Sequence, residues 1–151
     1  MTLSSIMSIY ILMSIIELKT KDDFAPMFAL VKQQNPTITQ KVFAARLKKM
    51  LAQGYRCIAW KEKDVYLGVC GFWTGTRFWC GDFIDLDNVI VDENRRNRDI
   101  GKKLVAWVEK EAGRLKCNQM GLDAYTTSHR AHRFYFREGY IIKGYHFIKP
   151  L

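Results

Sequence analysis

The residues best placed to do chemistry lie between Arg95 and Lys103. Arg95, Arg96, Arg98, Lys102 and Lys103 surround Asn97, Asp99, Ile100 and Gly101 where an apolar helical period begins. A helix start presents free backbone N–H groups and the positive end of its dipole, so a phosphate group sits there readily. Gly101 would let the backbone approach such a ligand closely. The segment contains neither G-x-x-x-x-G-K-[ST] nor G-x-G-x-x-G, which excludes the two common nucleotide loops. Upstream, Asp85 and Asp87 stand two apart in a β-rich run and share one strand face. Downstream, His129 and His132 stand three apart and share a helix face. A metal would need further ligands, and no Cys or carboxylate pattern supplies them, so no metal is expected.

The elements that must position these groups follow from periodicity. A first strand is expected over Ser14–Leu18. A helix capped by Asp22 or Asp23 then runs to Gln34, with Phe24, Met27, Phe28 and Val31 on one face. Asn35-Pro36 breaks it. A second helix runs from Thr39 to Gly54, with Val42, Phe43, Leu47, Met50 and Leu51 at helical spacing. Tyr55–Lys61, Tyr66–Thr74 and Phe78–Val91 are rich in aromatic and β-branched residues. With turns at Lys63-Asp64 and Thr74-Gly75-Thr76, they form an antiparallel meander. Residues 99–117 are helical, Gln119–Tyr125 a strand and Ser128–Arg137 a short helix. Tyr140–Lys149 closes the chain with one or two strands. The strand Phe83–Val91, the helix after it and the strand Gln119–Tyr125 form a right-handed crossover between parallel neighbours.

At 151 residues the chain suits one domain, expected over residues 14–151, with residues 1–13 as an N-terminal extension. The uncharged start lacks the basic region and cleavage site of a signal peptide. It also falls short of the roughly 20 apolar residues of a membrane span. Met7 and Met13 are alternative starts. Hydrophobic residues make up 48% and charged residues 26%, which excludes a disordered chain. Cys57, Cys70, Cys80 and Cys117 form no C-x-x-C pair, so reduced thiols in a cytoplasmic protein are expected. The net charge of +9 is uneven: residues 1–94 hold 11 basic and 10 acidic side chains, residues 95–151 hold 13 and 5. Such asymmetry points to an anionic partner.

Arg96-x-x-Asp99-x-Gly101 resembles the [QR]-x-x-G-x-[GA] acetyl-CoA loop of the GNAT acetyltransferase superfamily. Leu86-Asp87-Asn88-Val89-Ile90-Val91 is similar to the strand that precedes that loop. Ala131-His132-Arg133-Phe134-Tyr135-Phe136-Arg137-Glu138-Gly139-Tyr140 resembles the family's A-x-x-[LF]-Y-x-x-x-G-[FY] signature. The element order matches from about Ser14 to Leu151. Asn97 and Asp99 stand where the loop usually has glycines; both residue types tolerate left-handed backbone. Asp99 would put a carboxylate near the pyrophosphate, or cap the helix.

The resemblance implies an α/β fold: a mixed, mostly antiparallel sheet flanked by helices, its central parallel strand pair splayed for acetyl-CoA. It implies acetyl transfer from acetyl-CoA to a primary amine of a small molecule, peptide or protein, by direct attack in a ternary complex. Arg96, Asn97, Arg98, Asp99, Ile100, Gly101, Lys102 and Lys103 would hold the cofactor's phosphates. Backbone groups of Val89, Ile90 and Val91, freed by a strand distortion, would hold the pantetheine arm and polarise the thioester. Ser128 stands where the family often has a cofactor-contacting Asn. Tyr135 would protonate the departing thiolate, with aromatic packing as its alternative role. Asp85 or Asp87 would be the base, directly or through water, and each could equally be a solvated strand-edge carboxylate. His146, Trp60, Trp73 and Trp79 are candidates to line the acceptor site or simply to pack. A homodimer is compatible with the resemblance, and the oligomeric state stays open. Two rivals remain. One is a nucleic-acid-binding domain, disfavoured by the absence of any recognition signature. The other is a non-catalytic acyl-CoA-binding relative.

Overall fold

The computed structural model describes residues 13–96 and 99–151; the proposed extension otherwise falls outside them. Strand β1 (Met13–Glu17) leads to Thr20, whose hydroxyl accepts from the Asp23 N–H while the Asp23 carboxylate accepts from the Thr20 N–H. This capping box starts α1 (Lys21–Phe24). Pro26 has no N–H with which to continue the ladder, so the chain restarts as α2 (Met27–Gln34). The single helix expected here is therefore two, and its cap is Thr20. Helix α3 (Gln40–Ala52) begins as expected, with the Thr39 hydroxyl accepting from the Val42 N–H. Phe24, Met27, Leu30, Val31, Phe43 and Leu47 are buried, while Val42 and Leu51 lie at the exposed margin of that face.

Strands β2 (Arg56–Glu62), β3 (Val65–Arg77), β4 (Gly81–Val91) and β5 (Gln119–Leu122) complete a five-stranded sheet in the order β1-β2-β3-β4-β5. All pairs are antiparallel except β4–β5, which is parallel as expected. The turn expected at Thr74–Thr76 is strand instead. Gly75 sits against the Phe83 ring, where a Cβ would come within 2.8 Å, so β3 continues to Arg77 and the chain turns at Phe78, Trp79 and Cys80. Helix α4 (Ile100–Arg114) carries the chain from β4 to β5, and α5 (His129–Arg137) follows. Residues 140–151 form no strand, contrary to expectation. A strand requires a backbone partner, and beyond the Tyr140 N–H bond to the Tyr135 carbonyl this segment pairs with no strand among the described residues. Lys143 lies over Trp79 and His146 pairs with Asp123.

Each sheet face has its own core. One holds α1–α3 against Cys57, Ala59, Val69 and Ile90; the other holds α4 against Ile58, Cys70, Phe72, Ile84 and Leu86. Helix α4 docks closely because β3 offers Gly68, where a Cβ would lie 2.9 Å from Ile100 and 3.1 Å from Leu104. At its other end, Glu111 bonds Arg114 and Arg56, each at 2.7 Å, and Arg56 also bonds Glu17 at 2.8 Å. The Arg114 hydrogen bonds, helped by Arg56, overcome burial and draw the Glu111 pKa down to about 2.

The pairing of β3 with β4 passes from Val69↔Ile90 to Gly71↔Asp87, so Cys70 faces two residues, Asn88 and Val89. This bulge is the distortion expected in the strand. Asn88 adopts φ +56°, the left-handed region. A Cβ on Gly71 would overlap the Tyr55 hydroxyl, which instead fills that space and accepts from Asn88 Nδ2 at 3.4 Å. Ile84 and Leu86 face α4 before the bulge; Val89 and Val91 face it afterwards. One inserted residue has shifted the alternation.

Two outcomes are expected. Because the Glu111 pKa is lowered in the fold, its contribution is fully present above the ordinary carboxylate value and is lost as pH falls toward about 2. Glu111→Gln should cost about 1–3 kcal/mol at neutral pH, and its thermal-unfolding curve should converge with wild type in acid. At the bulge, Asn88→Ala should cost about 1–2 kcal/mol for left-handed backbone, and Asn88→Gly markedly less. Equal losses in the two variants would place the role in the side chain rather than the backbone.

Candidate active site

Pairing between β4 and β5 runs from Phe83↔Gln119 to Leu86↔Leu122 and stops, while β4 continues to Val91. Val91 and Ile90 are held by β3 through Gly68 and Val69. Among the described residues, no strand covers the other edge of β4 beyond Leu86. The sheet is thus splayed at the segment expected to present backbone donors.

The gap leads to the start of α4. A 3-10 turn (Glu93–Arg95) is capped by Asp92, which accepts from the Asn94 N–H at 2.9 Å. Arg96 follows and is exposed; Asn97 and Arg98 lie outside the described residues. Asp99 has φ +55° and its side chain makes no cap hydrogen bond. It therefore takes the left-handed conformation of the usual glycine, and the side-chain cap does not form. The Ile100 side chain is buried on the sheet, so only its backbone can face a ligand. A Cβ on Gly101 would sit 3.6 Å from both Phe134 and Val91, ordinary contact distances. This glycine packs α4 against α5 and the end of β4. Lys102 is exposed at the first turn. Lys103 turns to the sheet, its ammonium 4.9 Å from the Trp60 ring centroid. Ser128, half-buried before α5, makes no capping bond with its hydroxyl.

Helix α5 brings Tyr135 to the α4 face, where its ring meets Phe134 at 5.1 Å and Tyr140 at 5.5 Å. Burial, with the nearby Cys70 thiol, pushes the Tyr135 phenol well above its usual value. Cys70 is the residue opposite the bulge, so Tyr135 and the open part of β4 share one neighbourhood. Tyr140, raised by the same causes, stands beside it and was missed as a candidate.

On the opposite face, Asp87 accepts from the Trp73 indole N–H at 3.0 Å, and Asp85 is paired with Arg77 at 2.6 Å. The Arg77 guanidinium also covers the Phe83 ring at 3.7 Å. Gly121 of β5 leaves room for Asp85, whose Oδ1 would be 2.7 Å from a Cβ there. Tyr55, Gly71, Arg77 and Asn88 were not singled out from the sequence. An isolated glycine within a strand marks a bulge or a close approach, so Gly71 carried a usable signal. Trp73 lies beside Asp87 and Tyr55, whereas Trp60 is on the α4 face and Trp79 at the exposed turn. His129 and His132 meet edge to face, and His132 donates a ring N–H to the Tyr125 carbonyl at 2.9 Å. Among the described residues, no group of three or more His, Cys, Asp or Glu could hold a metal. No helix there is long and apolar enough to cross a membrane.

Residues 19–140 match the acetyltransferase (GNAT) family model. The aminoalkylphosphonate N-acetyltransferase of Salmonella typhimurium is 36% identical over 73 residues, 48% of this chain. The chain spans 46% of that protein's length, less than half. A solved aminoglycoside N-acetyltransferase in complex with CoA superposes with a TM-score of 0.80 and 17% identity, covering 92% of this chain and 94% of that one. Glucosamine-6-phosphate N-acetyltransferase from Arabidopsis thaliana gives 0.74 and 20%, covering 91% and 97%. The splayed parallel pair, the strand bulge and the matched family model together place this chain in the GNAT acetyltransferase family.

Proposed function

We propose that the protein transfers an acetyl group from acetyl-CoA to a primary amine. The observation that carries this reading is the open edge of β4, which holds the Asn88 bulge and precedes a left-handed helix start with no side-chain cap. The residues fit the cofactor. Arg96, Lys102 and the first-turn N–H groups of α4, from Ile100 and Gly101, would hold its phosphates, with Asn97 and Arg98 completing the loop. Val89–Val91 would offer main-chain groups to the pantetheine arm, and Ser128 a hydroxyl. Lys103, turned onto Trp60, would act at longer range. Bound acetyl-CoA supplies an activated acetyl group and a sulfur leaving group.

The acceptor would approach from the Asp87 face. An amine must lose a proton before it can attack, and Asp87 is the better placed carboxylate. It adjoins the bulge and spends one hydrogen bond on a neutral indole, whereas Asp85 is held by a guanidinium. Tyr135 keeps its proton at neutral pH because burial opposes the phenolate, so the phenol would be present as a donor to the departing sulfur. The carboxylates favour a small cationic amine as acceptor. An aminoalkylphosphonate or an aminoglycoside, named for the relatives above, has such a group. The unpaired thiols suit a reducing, cytoplasmic setting.

The test combines thermal unfolding with thiol release over a panel of amines. Acetyl-CoA should raise the melting temperature by mass action, and Arg96→Glu should diminish that rise. Tyr135→Phe and Asp87→Asn should each lower turnover by roughly 10²–10⁴-fold while leaving the cofactor-induced rise intact. Unchanged turnover in Tyr135→Phe would return that side chain to packing. A melting rise without thiol release from any amine would favour a non-catalytic acyl-CoA-binding protein. Asp99→Gly should tighten acetyl-CoA binding, because it removes a carboxylate near the phosphates while keeping left-handed backbone accessible.

A further inference from the structure

On the sheet face opposite α4, β3 presents Gly71, Trp73, Gly75 and Arg77 in turn, and β4 presents Phe83, Asp85 and Asp87. The register sets Gly71 opposite Asp87, Trp73 opposite Asp85 and Gly75 opposite Phe83. Neither carboxylate bonds the residue that faces it. Asp87 faces a glycine, and its Oδ2 accepts from the Trp73 indole N–H at 3.0 Å, one register step away. Diagonal neighbours on a sheet face lie within reach of an aromatic side chain. Asp85 faces Trp73 yet bonds Arg77 at 2.6 Å, two steps away, where the guanidinium crosses the Phe83 ring beside Gly75. Glycines at alternate positions of β3 thus let each donor reach a carboxylate nearer the bulge than its own direct partner.

The two carboxylates end in different hands. Asp85 is bound to a full positive charge. Asp87 is not. The titratable groups that interact with it electrostatically are the Tyr55 phenol and the Cys57 and Cys70 thiols. Burial keeps all three protonated at neutral pH, pushing the Cys57 thiol up to about 12. The last torsion of an Asp side chain is broad and two-fold, so a carboxylate without a charged partner takes its orientation from its hydrogen bonds. Among the described residues, the indole N–H is the side-chain donor bonded to Asp87, and it leaves Oδ1 without a hydrogen-bond partner. The indole is itself braced. The buried Tyr55 ring lies 5.1 Å from it, and the Tyr55 hydroxyl fills the space at Gly71 and accepts from Asn88 of the bulge.

We propose, on the acetyl-transfer reading above, that Trp73 is a positioning residue: its N–H holds Asp87 Oδ2 so that Oδ1 stays free to take the proton of the acceptor ammonium. Tyr55 links that indole to the bulge, so the base and the main-chain groups of Val89–Val91 are held in one register. The ammonium gives one proton to Oδ1. Its nitrogen then forms the amide bond as the C–S bond breaks, and a second nitrogen proton ends on the sulfur of the free thiol. Arg77 keeps Asp85 paired, so one carboxylate serves as base rather than two.

Trp73→Phe keeps a ring against Tyr55 and removes the donor. Thiol release from acetyl-CoA, with aminoethylphosphonate and a panel of primary amines as acceptors, measures the effect. Loss of one hydrogen bond to a charged group, with the misplacement that follows, should lower kcat roughly 10- to 100-fold. KM for the amine and the acetyl-CoA-induced melting rise should stay within about twofold. Asp87→Ala should lower kcat at least as far, and adding Trp73→Phe to it should cost nothing more, because a residue acting through Asp87 has nothing left to hold. Losses that multiply in the double variant, or a Trp73→Phe effect confined to KM, would overturn the positioning role and leave Asp87 as base. Unchanged kcat in Asp87→Ala, or no thiol release from wild type with any amine, would overturn the acetyl-transfer reading and the positioning role together. Should Trp73→Phe fail to unfold cooperatively, the indole N–H resonances of Trp60, Trp73, Trp79 and Trp107 decide. One of the four should move upfield in Asp87→Ala while the others stay, and four unmoved resonances would overturn the proposal.

Discussion

The left-handed residue at Asn88 governs what the sheet can do. A strand with unbroken alternation would send Asn88 to the α4 face after Ile84 and Leu86. The bulge shifts the phase, so Val89 and Val91 meet the α4 core and Ile90 meets the other. Both cores remain apolar on either side of one polar interruption. The same bend accompanies the parting of β4 from β5, because pairing ends at Leu86, two residues before it. Tyr55 fixes the distortion from beneath, using the space that Gly71 leaves. Bulge, glycine and buried phenol thus act as one device assembled from three strands' worth of sequence.

The excess positive charge separates into physically different groups. Around Arg96 and Lys102 it surrounds a helix start with no side-chain cap, where an anion would meet both full charges and backbone dipoles. Arg114 belongs instead to the Glu111–Arg56–Glu17 network that ties α4 to β1 and β2. Lys103 and Lys143 rest on indole rings, where the aromatic face offsets their charge. A raw charge count therefore overstates the surface available to an extended polyanion. It still points to the start of α4, where several cations and a helix dipole coincide.

Most of the frame was legible in the sequence. The helical period of residues 99–117, the parallel partnership of β4 with β5 and the Thr39 cap are local patterns, and each appears where expected. The failures at Gly75 and over residues 140–149 share a cause, dependence on contacts between distant residues, whereas the break between α1 and α2 was a local signal. Pro26 alone signalled the break between α1 and α2, yet the apolar period on both sides masked it. Gly75 looked like a turn because its packing on Phe83 comes from a different strand. Residues 140–149 have the composition of strands, but a strand exists only with a partner. The site divides in the same way. The loop and Tyr135 could be located from motifs, whereas the separate environments of Asp85 and Asp87 depend on Arg77 and Trp73 across the sheet.

In the proposed acetyl transfer the two faces of the sheet would take different parts in proton transfer, and they come together where β4–β5 pairing ends. On the α4 face, Tyr135 sits among Phe134, Tyr140 and Cys70, all of which disfavour a negative charge. The phenol there keeps its proton and can hydrogen-bond to the negative charge that develops on a departing sulfur. On the opposite face, Asp87 is only partly buried and accepts a hydrogen bond from an indole. A reaction that removes a proton from an incoming amine and returns one to a leaving sulfur needs these two environments close together but separate. In a continuous sheet, backbone hydrogen bonds would wall one face off from the other. The β4–β5 ladder ends at Leu86, just before the bulge, which leaves that edge of β4 without a strand partner among the described residues where the proposed reaction would join the two faces.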